Sequence, residues 1–174
     1  MTTGPEPRLL VIGAGVNGSI CAALLRQAGV DVTLLARGRR YADVLANGVI
    51  IEDQRAHTRT VYRVPVIDRL EPSDLYDYVL VVVRRNQVAA LLPTLARNAS
   101  PNVVFMVNNI AGPDEYIQAL GRQRVLLGFV FGAGRREGTV IRALVATSGL
   151  MGRMKTPFGE VDGTVTDRLT RLVG

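Results

Sequence analysis

Residues 8–37 read RLLVIGAGVNGSICAALLRQAGVDVTLLAR, and the spacing within this stretch decides the fold. Arg8-Leu9-Leu10-Val11-Ile12 is a short apolar run that ends in glycine, as a strand buried on both faces does. A helix begins near Val16. Its apolar positions Val16, Ile20, Ala23 and Leu24 recur at helical spacing, and Gly29 closes it. Asp31 to Ala36 forms a second strand. Strand, turn, helix and strand make a βαβ unit of about 30 residues.

Gly13-Ala14-Gly15-Val16-Asn17-Gly18 fits the pattern G-x-G-x-x-G. The pattern alone is weak. Here it follows a buried strand and opens an amphipathic helix inside a βαβ unit, which disfavours a tight turn that binds nothing. Gly13 allows the tight turn, Gly15 lets the backbone approach a diphosphate, and Gly18 lets helix pack closely on strand. Free N–H groups at the helix start, with the positive end of the helix dipole, then suit a diphosphate. The predicted fold is therefore α/β: a Rossmann-type, doubly wound, mostly parallel sheet.

The end of the second strand selects among dinucleotides. A site for NAD usually places Asp or Glu there for the ribose hydroxyls. This chain has Leu35-Ala36-Arg37-Gly38-Arg39-Arg40. No carboxylate repels a 2′-phosphate, and three arginines are at hand to grip one bidentately. Arginines just before a helix face the unfavourable end of its dipole, so a purely structural role fits them less well. NADP is the expected cofactor.

Further along, Arg39 to Asn47 reads as a short helix stopped by Gly48. Val49–Glu52, Arg59–Val66 and Tyr78–Val83 read as strands. A helix from about Asn86 carries Val88, Leu91, Leu92 and Leu95 on one face, with Pro93 kinking it or marking its first turn. Val103–Val107, Val125–Phe131, Thr139–Thr147 and Arg153–Glu160 are expected strands. Pro113–Gly121 and Thr164–Val173 are expected helices. Strands dominate late, which implies an antiparallel extension of the sheet.

The chain has 174 residues, enough for one domain with a proper core. No apolar run approaches 18 residues, so no membrane span is expected. The start, Met1 to Arg8, lacks the apolar stretch of a signal peptide, and a cytoplasmic location is the expectation. Cys21, the single cysteine, reads as a small buried hydrophobe on a helix. No His/Cys cluster suggests a metal; the one histidine is His57. The net charge of +6 comes from twenty arginines and Lys155, scattered rather than gathered on one helix or stripe. That distribution argues against nucleic acid as a partner.

The sequence resembles the ketopantoate reductase (2-dehydropantoate 2-reductase) family over nearly its whole length. The likeness runs through the glycine turn, Asp31-Val32-Thr33-Leu34-Leu35-Ala36-Arg37, and the strand ending Val81-Val82-Val83. It continues at Val107-Asn108-Asn109, at Arg135-Arg136-Glu137-Gly138, and at Phe158-Gly159-Glu160-Val161-Asp162-Gly163. The resemblance implies NADPH-dependent reduction of a small 2-keto acid, 2-dehydropantoate to pantoate, on the way to coenzyme A. It also implies that residues 1–174 are the NADP-binding Rossmann-like domain, with the family's C-terminal helical domain lying outside this chain, or supplied by a partner subunit. A homodimer is left open.

By position, the resemblance places Arg84 where the family has a lysine, and Gln87 matches three residues later. Asn109 matches the asparagine that contacts cofactor and substrate, and Ala133 lies near the position whose backbone meets the nicotinamide. The expected cofactor contacts are thus Gly13, Ala14, Gly15, Val16, Asn17, Gly18, Arg37, Arg84, Asn109 and Ala133. Arg84 and Asn109 are also candidate substrate contacts, and no catalytic residue is assigned. Two departures stand out. Arg84 binds anions and cannot shuttle a proton, and Ile110 stands where the family has a glycine. The family's acid/base lysine lies in the C-terminal domain, and Lys155, read as a solvated surface residue, does not match it. The isolated chain is therefore expected to bind cofactor and turn over poorly. Two competing readings are a non-catalytic nucleotide-binding module and a family member acting on a different 2-keto acid.

Overall fold

A computed structural model describes residues 6–130, 132–144 and 156–173. The chain runs β1 (Leu9–Ile12), α1 (Val16–Gln27), β2 (Val32–Leu35), α2 (Gly38–Asn47), β3 (Val49–Asp53), β4 (Thr58–Tyr62), β5 (Val66–Ile67) and β6 (Tyr78–Val81). It continues α3 (Leu92–Arg97), β7 (Val103–Phe105), α4 (Asp114–Leu120), β8 (Val125–Gly128), β9 (Ala133–Glu137), β10 (Val140–Leu144), β11 (Phe158–Glu160) and α5 (Asp167–Val173).

Seven strands form the main sheet in the order β11-β8-β7-β6-β1-β2-β5. Every neighbouring pair is parallel except β8–β11, the antiparallel edge. Residues of β1 alternate between two cores, which is why the run had no polar face. Leu9 and Val11 pack with Ala22 and Ala23 of α1 and with Val49, Ile51 and Ile141. Leu10 and Ile12 pack with Leu91, the N-cap of α3, with Leu95 of α3, and with Tyr116 and Leu120 of α4. The sheet is thus covered on both faces, as a doubly wound fold requires.

The late antiparallel strands do more than extend this sheet. β9 and β10 form a hairpin, and β10 pairs in parallel with β3, giving a separate four-stranded sheet β4-β3-β10-β9. β9 was not expected from the sequence, because all five of its residues are exposed and show no apolar alternation. Two other expectations are corrected. The run Arg59–Val66 splits into β4 and β5. The helix expected from Asn86 is a 3₁₀ turn, Arg85–Gln87, followed by the separate helix α3 with Pro93 in its first turn. A proline tolerated there lacks only an N–H that the helix would leave unpaired. Cys21 packs half-buried against the α1-side core, as expected of a small hydrophobe, and burial pushes its thiol up to about 12. Lys155, Phe131, Val145–Thr147 and Arg153 fall outside the described residues.

Candidate functional site

A cleft of about 1160 Å³ opens across the C-terminal ends of β1, β2, β6 and β7. Its floor is the point where the strand order reverses, β2 lying on one side of β1 and β6 on the other. Ligands of open α/β sheets bind at such a crevice. Among the expected contacts, Gly13, Ala14, Gly15, Val16, Asn17, Arg37 and Arg84 all line it. Gln87 lines it too, and its Oε1 accepts the Arg84 backbone N–H at 3.1 Å, fixing the turn after β6.

The three turn glycines differ physically. Gly13 has φ +115°, and a Cβ there would lie 2.3 Å from the Val82 carbonyl oxygen. Gly18 faces inward: a Cβ would lie 1.8 Å from the Gly13 carbonyl oxygen and 3.5 Å from the Val82 Cβ. It does not line the cleft but lets α1 press onto the turn. Gly15 is the N-cap of α1, with nothing within 4 Å of its would-be Cβ. That open face, beside the unpaired N–H groups of the first turn of α1, has room for an anionic group. The first turn of α1 carries no acidic residue to compete with it.

Among the described residues, five arginines line the cleft, Arg37, Arg40, Arg84, Arg135 and Arg136, and no carboxylate does. They are not equivalent. Arg40 is only 8% exposed. Its Nε donates to the Ala14 carbonyl at 3.2 Å, and its other nitrogens donate to Ser19 Oγ and the Thr139 carbonyl, each at 3.3 Å. It is therefore a strut joining the glycine turn, α1 and the β9–β10 hairpin, not a third solvent-facing phosphate grip as the sequence suggested. Burial, then the neighbouring charge of Arg136, holds its pKa below that of an ordinary guanidinium. Arg135 is neutralised by Glu137 at 2.7 Å. Arg37, the N-cap of α2, stays exposed on the cleft wall. Arg39 is exposed outside the lining.

Asn109 and Ala133 do not line the cleft. The Tyr116 hydroxyl donates to Asn109 Oδ1 at 2.8 Å, and Tyr116 itself stacks on Phe105 with ring centroids 3.9 Å apart. Burial raises the Tyr116 pKa, so the hydroxyl remains a donor. Ala133 sits on β9 between Gly132 and Gly134, both of which do line the cleft. A Cβ at Gly132 would lie 2.4 Å from Asn17 Oδ1, so β9 begins against the glycine turn. The family resemblance pointed to this segment through Ala133, whereas the residues themselves signal it only as the Arg135-Arg136 doublet, because nothing local shows that it returns to the turn. A second cavity of about 490 Å³ shares Ile12, Leu35, Arg37, Ala90 and Leu91 with the cleft and continues toward Asp68–Pro72. Among the described residues there is no cluster of metal-ligating side chains, and no helix is long and apolar enough to cross a membrane.

The family model described as ketopantoate reductase PanE/ApbA matches residues 9–159. A 2-dehydropantoate 2-reductase of Archaeoglobus fulgidus is 29% identical over 161 residues, covering 91% of this chain and 49% of that protein. The crystal structure of 2-dehydropantoate 2-reductase from Geobacter metallireducens superposes with a TM-score of 0.77 at 22% identity, covering 95% of this chain and 53% of that one. The dimeric ketopantoate reductase from Staphylococcus aureus gives a TM-score of 0.65 at 17% identity, covering 95% and 50%. At these identities the structural likeness shows the fold. The chain spans about half the length of the relatives it matches.

Proposed function

The chain belongs to the ketopantoate reductase family, and from that premise we propose that it is the NADP(H)-binding half of a 2-keto acid reductase, with 2-dehydropantoate as the substrate. The observation that carries this reading is the cleft itself: a glycine turn with an open face at Gly15, walled among the described residues by five arginines and no carboxylate. NADP(H) carries a diphosphate and a 2′-phosphate, and these residues suit both. The glycine turn and the start of α1 hold the diphosphate through backbone N–H groups. Arg37 holds the 2′-phosphate, and the smaller cavity beyond it takes the adenosine end.

Bound there, NADPH would supply the hydride for the substrate carbonyl carbon. Arg84 stands at the C-terminal end of β6, where it anchors an anionic group, either a cofactor phosphate or the substrate carboxylate. It remains charged throughout and moves no proton. Asn109, oriented by Tyr116, is held at the C-terminal end of the neighbouring strand and reaches cofactor and substrate once the site is complete. Ile110, 92% exposed on the same loop, suits a face that another domain covers. The group that protonates the developing alkoxide belongs to that C-terminal helical domain. The whole protein is then a cytoplasmic enzyme of coenzyme A synthesis, with a homodimer as its natural assembly.

Titration with NADPH, NADH and ATP tests the cofactor, with NADPH expected to bind tightest. Incubation with NADPH and 2-dehydropantoate tests the division of labour. Robust turnover by the 174-residue chain alone would sink the half-site reading. A second reading, a nucleotide-binding module without catalysis, draws on Arg84 in place of a lysine. Tight NADPH binding with no reduction even when the helical domain is supplied would favour it.

A further inference from the structure

The geometry points to Arg136, on the edge strand β9, as a specificity-determining residue that shares the 2′-phosphate of NADP(H) with Arg37. The inference rests on the NADP(H) reading above and adds a cation from a distant part of the chain. Three observations carry it.

The first is how the charges of the hairpin are disposed. Arg135 pairs with Glu137 at 2.7 Å. Arg142 pairs with Glu137 at 3.1 Å and with Glu52 at 3.2 Å. Arg136, in the same small sheet, has no carboxylate within ion-pair distance among the described residues, and it lines the cleft. The second is its neighbour. Arg40 is buried and committed to the Ala14, Ser19 and Thr139 oxygens. Two guanidinium groups so placed repel each other, enough to help depress the Arg40 pKa. An anion between Arg136 and the first turn of α2 relieves that repulsion. The first turn of α2 suits one, having no acidic residue and no side-chain cap.

The third is rigidity. β9 is an edge strand whose five residues are all exposed, so apolar burial does not hold it in place. It is held by pairing with β10, which pairs in turn with β3 through Val140↔Ile50 and Ile141↔Ile51. The Arg40–Thr139 bond then ties the hairpin turn to the helix whose N-cap is Arg37. Arg136 and Arg37 therefore approach one cleft from two anchored elements, a geometry that favours bidentate capture of a phosphate.

The test compares Arg136→Gln and Arg136→Lys with the unaltered chain by calorimetric titration of NADPH and NADH, with thermal melts checking that each variant folds. Arg136→Gln should weaken NADPH about tenfold, the scale of one charge-assisted contact, and change NADH by less than about twofold. Arg136→Lys should recover part of the loss. Equal weakening of both cofactors would put Arg136 on the diphosphate and overturn the inference, as would no change in either. If the unaltered chain itself binds NADPH no better than NADH, the underlying cofactor reading fails as well. If it prefers NADPH and Arg136→Gln keeps that preference, only the role of Arg136 fails.

Discussion

Replacing Gly15 and Gly18 separately with alanine should split cofactor binding from folding. At Gly18 the new methyl would lie 1.8 Å from the Gly13 carbonyl oxygen, a backbone atom that no side-chain rotation can clear. Either α1 lifts off the sheet or the turn moves. Forced overpacking of this kind costs about 1–3 kcal/mol, which for a chain of this size lowers the Tm by roughly 3–10 °C. At Gly15 the methyl meets nothing within 4 Å, and φ is −74°, which any residue adopts. Alanine is a poorer N-cap than glycine by up to about 1 kcal/mol. It regains about 0.4–1 kcal/mol by restricting the unfolded chain. Gly15→Ala should therefore melt within about 2 °C of the parent while its methyl fills the diphosphate face. Calorimetric titration should then show NADPH weakened at least about tenfold, the scale of a lost or displaced phosphate contact. The reasoning is refuted if Gly15→Ala binds NADPH as the parent does, or if it melts as low as Gly18→Ala.

Arg40→Met removes three donors at once and leaves the buried Ser19 hydroxyl and Ala14 carbonyl short of a partner. A loss of about 2–3 kcal/mol is expected, read as a lower urea midpoint, and an unchanged midpoint would show that Arg40 is no strut. The carboxylate of Glu160 is held below its ordinary value of 4.5, first by its hydrogen bonds from Arg168 and then by Thr166. A depressed acid stabilises the fold above its unfolded pKa and ceases to as pH falls through the folded one. Glu160→Gln should thus cost stability at pH 7 and flatten the loss of stability below pH 4.5; parallel acid limbs in the two proteins would contradict this. Burial raises the Cys21 thiol to about 12, so its reaction with an aromatic disulfide reagent at pH 8 should be slow in buffer and fast in denaturant. Equal rates in the two would place the thiol in solvent.

The parts of the molecule legible in the sequence are those governed by neighbours along the chain. β1, α1 and β2 were readable because each buries its own periodic face, and the glycine turn because strand and helix flank it directly. The place of Arg37 on the cleft wall was readable for the same reason, since it lies two residues past the end of β2. The small sheet was not. β9 has no buried side chain to mark it as a strand, and the partner that orders it, β10, takes its own place from β3. The inward turn of Arg40 was equally hidden. Its acceptors lie 21, 26 and 99 residues away, and nothing in the run Arg37-Gly38-Arg39-Arg40 tells which arginine will face in. Likewise the spacing around Asn109 gives no sign that Tyr116 occupies its Oδ1.

The parallel pairing of β10 with β3 has a consequence in time as well as in space. Ile50 and Val140 lie about ninety residues apart, and closing a loop of that length carries a length-dependent entropy cost of about 4 kcal/mol. Contacts so distant form late, after the local βαβ unit that carries the glycine turn. The turn and Arg37 are thus assembled early, whereas the wall bearing Arg136 arrives only when the hairpin docks. A molecule spanning both would bind only the finished fold, and its occupancy would raise the protection of the hairpin amides more than that of the first βαβ unit. In hydrogen exchange the cofactor would act as a latch on the last piece to close.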